Sequence, residues 1–212
     1  MVVFEQLVLI VIDGLDASGK SSQALRLYSS LRNRGKSVCV RFHPSKDGFF
    51  GEEAKKFLYA QGKSAHLAAA FFYMLDVVRS ILLFSWRRYD YVILVRYLMG
   101  TSYLPPPLHR VAYHLFASIV PTSDFMFFLD VTPEEAYRRI LLTRKRLEMF
   151  ERLEELRVTR QKALSLASIG RWTIIDANRS INDVEKEINR VLSTKQVVPP
   201  KRRGARTFQF LR

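Results

Sequence analysis

Residues 7–22 read LVLIVIDGLDASGKSS, and this stretch decides the fold. The apolar run that ends at Asp13 is typical of a strand covered on both faces of a parallel sheet. It leads into residues 14–21, GLDASGKS, a complete match to the pattern G-x-x-x-x-G-K-[ST]. Residues 20–33 then carry Ala24, Leu27 and Leu31 at helical spacing. Strand, glycine-rich loop and helix in this order predict a nucleoside triphosphate site.

Each part of the loop has its own task in holding a triphosphate. The glycines let successive backbone N–H groups point inward around a phosphate, and the helix that follows adds its positive end. Lys20 is expected to reach the terminal phosphates, and the Ser21 hydroxyl to bind Mg²⁺. The predicted ATP-binding residues of the loop are Gly14, Asp16, Ala17, Ser18, Gly19, Lys20, Ser21 and Ser22.

Beyond the loop, strands and helices alternate. Four more strands are expected over residues 37–42, 91–95, 125–131 and 172–176. Helices are expected over 51–60, 64–88, 109–119, from Pro133 onward, over the highly charged stretch 138–166, and over 181–192. The alternation predicts an α/β protein with the P-loop NTPase fold: a five-stranded parallel sheet with helices on both faces.

Composition limits the class of protein. With 212 residues, 48% hydrophobic and 25% charged, the chain suits one globular domain (1–194) followed by a basic tail (195–212), and this composition excludes general disorder. The longest apolar stretch, 65–86, is interrupted by His66, Asp76 and Arg79, so no membrane association is expected. The single cysteine, Cys39, excludes an internal disulfide framework and favours a cytoplasmic protein.

The net charge of +14 favours polyanionic partners, which phosphate-bearing small molecules satisfy as well as nucleic acid does. The tail carries six basic side chains and no acidic one. It is either a solvated end or a nucleic-acid contact.

Five segments together resemble the thymidylate kinase family of P-loop nucleoside monophosphate kinases. They are IDGLDASGKSS (12–22), RFHPS (41–45), AAAFFYMLDVVRS (68–80), VRYLMGTSY (95–103) and FLDVTPEEAYRRI (128–140). The resemblance covers about residues 5–192. It implies a homodimeric enzyme that transfers the γ-phosphate of Mg²⁺-ATP to dTMP, giving dTDP and ADP for dTTP synthesis.

The resemblance also implies an acceptor site. It places Asp16 beside the acceptor sugar, and Arg41 and Arg96 on the acceptor phosphate, while His43 is either an inert loop residue or a further phosphate ligand. It implies that Phe72 stacks on the base. The substrate-binding residues that follow from it are Asp16, Arg41, Phe72, Arg79, Arg96 and Tyr97, and Asn178 is expected to border the adenine of ATP.

The resemblance also implies a short lid, because family members without a basic residue in the glycine-rich loop supply cationic charge to the transferring phosphate from a lid. No basic residue lies between Gly14 and Gly19, whereas residues 139–146 read RILLTRKR. The expected lid spans about 139–152, with Arg144 and Arg146 as its catalytic arginines. Lys20 and Arg96 complete the predicted catalytic set.

The resemblance has one clear departure. Val95 stands before Arg96, where family members have an aspartate that helps to organise the metal and the acceptor. Asp13, Asp16 or Asp130 could compensate. Two alternatives stay open: a deoxynucleoside kinase, and a P-loop ATP-binding protein that has lost turnover and contacts nucleic acid through its tail.

Overall fold

The computed structural model describes residues 7–60, 63–84, 89–143 and 151–197. The strands are β1 (Val8–Gly14), β2 (Val38–Phe42), β3 (Tyr91–Val95), β4 (Phe125–Asp130) and β5 (Trp172–Asp176). The α-helices are α1 (Lys20–Asn33), α2 (Phe49–Leu58), α3 (Lys63–Phe84), α4 (Leu108–Ile119), α5 (Pro133–Thr143), α6 (Leu153–Ile169) and α7 (Ile181–Val197), and a 3-10 helix covers Leu98–Tyr103.

The five strands form one parallel sheet in the order β2-β3-β1-β4-β5. The register aligns the ends of the three strands nearest the glycine-rich loop, since Val95 pairs with Ile12 on one side and with Phe42 on the other. The carboxyl ends of β2, β3 and β1 therefore open onto the same edge, where parallel sheets bind their ligands. The predicted α/β fold is confirmed.

Successive side chains of each strand point to opposite faces of the sheet, so the strands contribute to two apolar cores. Ile10 and Ile12 of β1 pack with α1, α5 and α7 on one face, whereas Val11 packs with α3, α4 and α6 on the other. Both faces of the sheet are covered, which is why β1 shows an unbroken apolar run.

Most element boundaries match the sequence predictions within two residues. The charged stretch 138–166 is different, because α5 ends at Thr143 and a separate helix, α6, begins at Leu153. Helix α7 also runs to Val197, beyond the predicted end at Leu192 and past the predicted domain boundary. Among the described residues, no helix is long and apolar enough to cross a membrane.

Candidate active site

A cavity of about 660 Å³ lies at the carboxyl edge of β1, β2 and β3. One wall comes from the glycine-rich loop, with Gly14, Asp16 and Ser21. The other walls come from the loops that follow β2 and β3 and from helices α2 and α3. The cavity therefore joins the predicted phosphate loop to the predicted acceptor region.

The glycine-rich loop needs glycine for steric reasons. Gly14 has φ +145°, and a Cβ there would lie 2.4 Å from the backbone oxygen of Leu129. Gly19 has φ +89°, and Ala17 adopts φ +57° between the two glycines. The Lys20 ammonium group, buried under the loop, donates a hydrogen bond to the Leu15 carbonyl. The loop thus folds around its own lysine, at the start of α1.

Asp13 is buried at the end of β1 and accepts hydrogen bonds from backbone groups. Its Oδ1 atom accepts from Gly14 N at 3.0 Å, and its Oδ2 atom accepts from Tyr97 N at 2.8 Å and Met99 N at 3.1 Å. Burial raises the pKa of Asp13, although these N–H groups and Lys20 oppose the rise. Asp13 therefore ties the start of the glycine-rich loop to the chain that follows β3.

Asp16 links the glycine-rich loop to the acceptor side. Its carboxylate forms an ion pair with Arg96 and accepts a hydrogen bond from the Tyr103 hydroxyl at 3.1 Å. Asp16 is 5% exposed, and all three residues line the cavity. Burial, and then the charge of Asp16, raise the pKa of Tyr103 well above its usual value, so Tyr103 stays a hydrogen-bond donor.

Arg41 already has a carboxylate partner. Its two Nη atoms donate to the two oxygens of Asp47 at 2.6 and 2.5 Å, and its Nε atom donates to Ser80 Oγ at 3.0 Å. Hydrogen bonding to Arg41 lowers the pKa of the Asp47 carboxyl below its usual range. Arg41 and Asp47 both line the cavity.

Asp76 lies beneath the loop after β2 and is fully buried. Its carboxylate accepts from Ser45 N and from Ser45 Oγ, each at 2.6 Å. The Ser45 carbonyl in turn accepts from Lys55 Nζ at 3.1 Å. This chain of contacts fastens the loop after β2 to helices α2 and α3.

Phe72 is not among the residues that line the cavity. It stacks on Phe57 with a centroid separation of 5.6 Å and contacts Phe49 and Phe71 edge to face, in an aromatic cluster between α2 and α3. Helix α3 instead lines the cavity with Ala69, Ala70 and Tyr73. The structure therefore places Phe72 in the aromatic cluster rather than in the cavity lining, and the pattern of apolar residues could not reveal which face of α3 meets the cavity.

Three other predicted site residues have structural contacts outside the cavity lining. Arg79 donates to the Asp47 carbonyl at 3.4 Å, so it reaches the site through Asp47. Tyr97 is fully buried, and its hydroxyl donates to the Pro121 carbonyl at 2.9 Å. The Asn178 Oδ1 atom accepts from the Thr132 amide and hydroxyl, each at 3.0 Å.

The predicted lid is only partly described. Arg144 and Arg146 lie outside the described residues. Arg139, in α5, donates to the carbonyls of Ala17 at 3.2 Å and Ala177 at 3.1 Å, so it bridges the glycine-rich loop and the loop after β5.

The three carboxylates that could replace the missing aspartate at Val95 have different surroundings. Asp13 and Asp16 line the cavity, whereas Asp130 forms a bidentate ion pair with Arg160 at 2.7 and 2.8 Å. Of the three, only Asp13 and Asp16 therefore face the cavity.

Whether the site suits Mg²⁺ depends on the oxygen atoms that could coordinate the ion. The described residues contain no group of three or more His, Cys, Asp or Glu side chains that could hold a metal by themselves. Mg²⁺ in nucleotide sites takes few protein ligands and completes its shell with phosphate oxygens and water. An exposed Ser21 hydroxyl on the same cavity as Asp13 and Asp16 fits that requirement.

Sequence reasoning missed several side chains of the site. Asp47 and Lys55 line the cavity without belonging to any of the five segments, and Tyr103 lines it from the end of segment 95–103, where it was given no role. The Asp47-Gly48 pair marks a turn, but nothing local indicates that the carboxylate points back to Arg41.

Comparison with known proteins agrees with this geometry. Residues 12–188 match the family model for thymidylate kinase. Relatives include the probable thymidylate kinases of Metallosphaera sedula, 29% identical over 79% of this chain and 83% of that protein, and of Pyrobaculum calidifontis, 29% identical over 84% and 92%. The thymidylate kinase of Plasmodium falciparum is 26% identical over 90% of this chain and 91% of its own length.

A solved structure, that of the thymidylate kinase from Candida albicans, superimposes with a TM-score of 0.66. It covers 89% of this chain and 92% of that one, at 20% identity, a level at which the match shows the fold. The family model spans most of the chain. The resemblance seen in the five sequence segments therefore reflects membership of the same family. Together with the P-loop cavity, these matches confirm the kinase prediction over the ATP-binding alternative, and the chain belongs to the thymidylate kinase family.

Proposed function

We propose that this protein transfers the γ-phosphate of ATP to dTMP, giving ADP and dTDP. The observation that carries the proposal is the Asp16–Arg96 ion pair, which joins the phosphate loop to the acceptor wall of one cavity. A kinase with a phosphate acceptor needs a cation beside its triphosphate site, and Arg96 supplies it. The names of the relatives supply the identity of the acceptor.

In the proposed reaction, an oxygen of the dTMP phosphate attacks the γ-phosphorus of ATP as the bond to the β-phosphate oxygen breaks. No protein nucleophile is required, so catalysis consists of alignment and charge stabilisation. Arg96 and Arg41 hold the acceptor phosphate, and Lys20 stabilises charge on the transferring group. Arg144 and Arg146 remain the proposed lid arginines.

The acceptor sugar is proposed to lie against Asp16 and Tyr103. Tyr103 and Arg96 already orient the Asp16 carboxylate, so its geometry is set before substrate binds. The base would occupy the space bounded by Ala69, Ala70 and Tyr73 of α3. Tyr73 replaces Phe72 as the proposed aromatic contact of the base.

Mg²⁺, when bound with ATP, neutralises charge on the phosphates and orients them. Ser21 would be its protein ligand. Asp13 would accept hydrogen bonds from water molecules bound to the metal. This role does not require an aspartate at position 95, where the chain has Val95.

We also propose a homodimer that forms through α2 and α3. The two helices expose large apolar side chains, with Phe49 64%, Phe71 54% and Leu82 60% exposed. Such a surface favours burial against a second copy. The proposed location is the cytoplasm, which suits a chain whose single cysteine is Cys39. The tail from residue 195 is proposed as a basic extension of the kinase domain.

The proposal is tested by incubating the purified chain with Mg²⁺-ATP and, separately, dTMP, dUMP, dCMP, UMP, GMP and thymidine. Products are separated by ion-exchange chromatography. We expect ADP and dTDP from dTMP, and no phosphorylation of thymidine. Lys20→Ala protein, prepared identically, controls for contaminating kinases.

A preference for thymidine would favour a deoxynucleoside kinase. ATP binding without any diphosphate product would contradict the proposed reaction. Static light scattering of the same preparation tests the dimer, which predicts twice the monomer mass of 24.7 kDa.

A further inference from the structure

The backbone of Arg96 has an unusual conformation. Its φ angle is +60°, in the left-handed region that residues with a Cβ rarely adopt. Arg96 is the first residue after β3, and its N–H group donates to the Ile12 carbonyl at 3.2 Å. An unfavourable conformation at such a position persists only where neighbouring groups hold it.

Two side chains hold the peptide group that joins Arg96 to Tyr97, one at each polar atom. The Arg96 carbonyl oxygen lies 2.9 Å from His43 Nδ1, and the Tyr97 N–H group donates to Asp13 Oδ2 at 2.8 Å. The sheet register explains the arrangement, because β3 lies between β2 and β1 and its last residue pairs with Phe42 and Ile12. His43 directly follows Phe42, the last residue of β2, and Asp13 directly follows Ile12 in β1.

The chemical state of His43 follows from its contacts. A carbonyl oxygen can only accept, so Nδ1 carries the proton. Burial lowers the pKa of His43 to about 4, which leaves the imidazole neutral near pH 7. His43 is 1% exposed, and its backbone N–H group also donates to the Val95 carbonyl at 3.0 Å. His43 thus forms hydrogen bonds with two consecutive carbonyl oxygens, those of Val95 and Arg96.

We propose that His43 is a positioning residue, whose Nδ1–H group holds the Arg96 peptide in the orientation that presents the guanidinium group to the acceptor phosphate. This inference rests on the proposed function of Arg96. Without the Nδ1 donor, Asp13 is the one side chain of the described residues left to hold the peptide group, and the Arg96 backbone can relax out of the left-handed region. The guanidinium group then leaves Asp16 and the cavity.

Two substitutions of His43 by side chains of similar shape separate the effect of the Nδ1–H donor from the effect of packing. Asparagine and leucine both branch at Cγ into two atoms, but only asparagine has an amide N–H group near the position of Nδ1. Calorimetry measures the affinity of the full chain for dTMP and for thymidine, which lacks the phosphate. We expect His43→Leu to weaken dTMP binding about tenfold. We expect thymidine binding to stay unchanged, and His43→Asn to bind dTMP within about threefold of the unmodified chain.

Three results would overturn the inference. His43→Leu could bind dTMP normally, or it could weaken dTMP and thymidine equally, as a general packing defect would. If His43→Leu and His43→Asn weakened dTMP to the same extent, the ring would act as a direct ligand through Nε2. His109, in α4, is a second buried histidine, and His109→Phe is the control for loss of a buried imidazole.

A substrate-independent measurement separates this inference from the proposed function. If the unmodified chain binds no dTMP, the proposed function fails, and crystal structures of the two variants still test His43. Arg96 should leave the left-handed region and lose Asp16 in His43→Leu and keep both in His43→Asn; retention of both in the leucine variant contradicts the proposal. If the leucine variant does not fold, His43→Gln, whose amide lies near the Nε2 position, replaces it.

Discussion

The donor and acceptor sides of the cavity are built in different ways. The donor side consists of eight consecutive residues, 14–21, whose backbone angles form the phosphate loop. The acceptor side is assembled from separate segments of the chain, in which Arg96 and Tyr103 contact Asp16 of the glycine-rich loop, and Arg41 contacts Asp47. Backbone geometry therefore specifies the first side, and long-range side-chain pairing specifies the second.

The largest effect is expected from removing the cation of the donor side. Lys20→Ala should lower kcat about a thousandfold, because the charge that develops on the transferring phosphate loses its stabilising partner. The rate of dTDP formation under saturating substrates measures the effect. Lys186→Ala, an exposed lysine paired with Asp183, is the matched control and should leave kcat unchanged. A Lys20→Ala enzyme within tenfold of the unmodified rate would remove the lysine from the mechanism.

The corresponding change on the acceptor side should separate the two substrates. Arg96→Ala removes a charged hydrogen-bond donor and leaves Asp16 without its ion pair. We expect the KM for dTMP to rise about a hundredfold and the KM for ATP to stay within about threefold. Initial rates with each substrate varied in turn give both constants. Arg190→Ala, which breaks an exposed pair with Glu187, controls for loss of an arginine. An equal rise in both KM values would mean that Arg96 serves the whole cavity.

The backbone basis of the donor side can be tested by stability. Gly14→Ala forces a Cβ against the Leu129 carbonyl, at a φ angle that alanine rarely adopts, and should lower the free energy of unfolding by about 3 kcal/mol. Gly35→Ala has a positive φ but no atom within 4 Å of the added Cβ, and should cost about 1 kcal/mol. Urea denaturation measures both. Equal costs would show that contact with Leu129 contributes nothing.

The smallest effect is expected from the ion pair on the acceptor side. Asp47→Asn removes the carboxylate that competes with substrate for Arg41, so the KM for dTMP should fall about threefold. The same kinetic assay measures it. Asp124→Asn, another exposed carboxylate in an ion pair, should leave the KM unchanged. A higher KM for Asp47→Asn would mean that Asp47 orients Arg41 for binding rather than competing with substrate.

The contrast between the two sides explains how far sequence reasoning reached. Helix α1 was predicted over residues 20–33 and occurs at Lys20–Asn33, because its glycine start and apolar spacing are local signals. The Asp47–Arg41 pair was not predicted, since no periodic signal marks a loop that turns back on a neighbouring strand.

Helical propensity was likewise insufficient to predict helix boundaries and helix faces that are determined by tertiary contacts. The charged stretch 138–166 favours helix locally, yet Arg152, which precedes α6, has an extended backbone conformation and lies next to the fully buried Glu151. In α3, Phe72 and Asp76 share a face by spacing, but the packing of α2 decides which neighbouring residues meet the cavity. These features depend on residues far apart in the chain.

The pairing of Arg41 with Asp47 has a consequence for how substrate enters. A phosphate that reaches Arg41 exchanges one anion for another, so little net charge is neutralised there and few salt ions are released. The displaced carboxylate needs no new protein partner, because 56% of the Asp47 side chain is already exposed to water. Substrate affinity should therefore depend only weakly on salt at Arg41 and at Arg96, which is paired with Asp16, leaving most of the ionic-strength dependence to the lysines of the cavity.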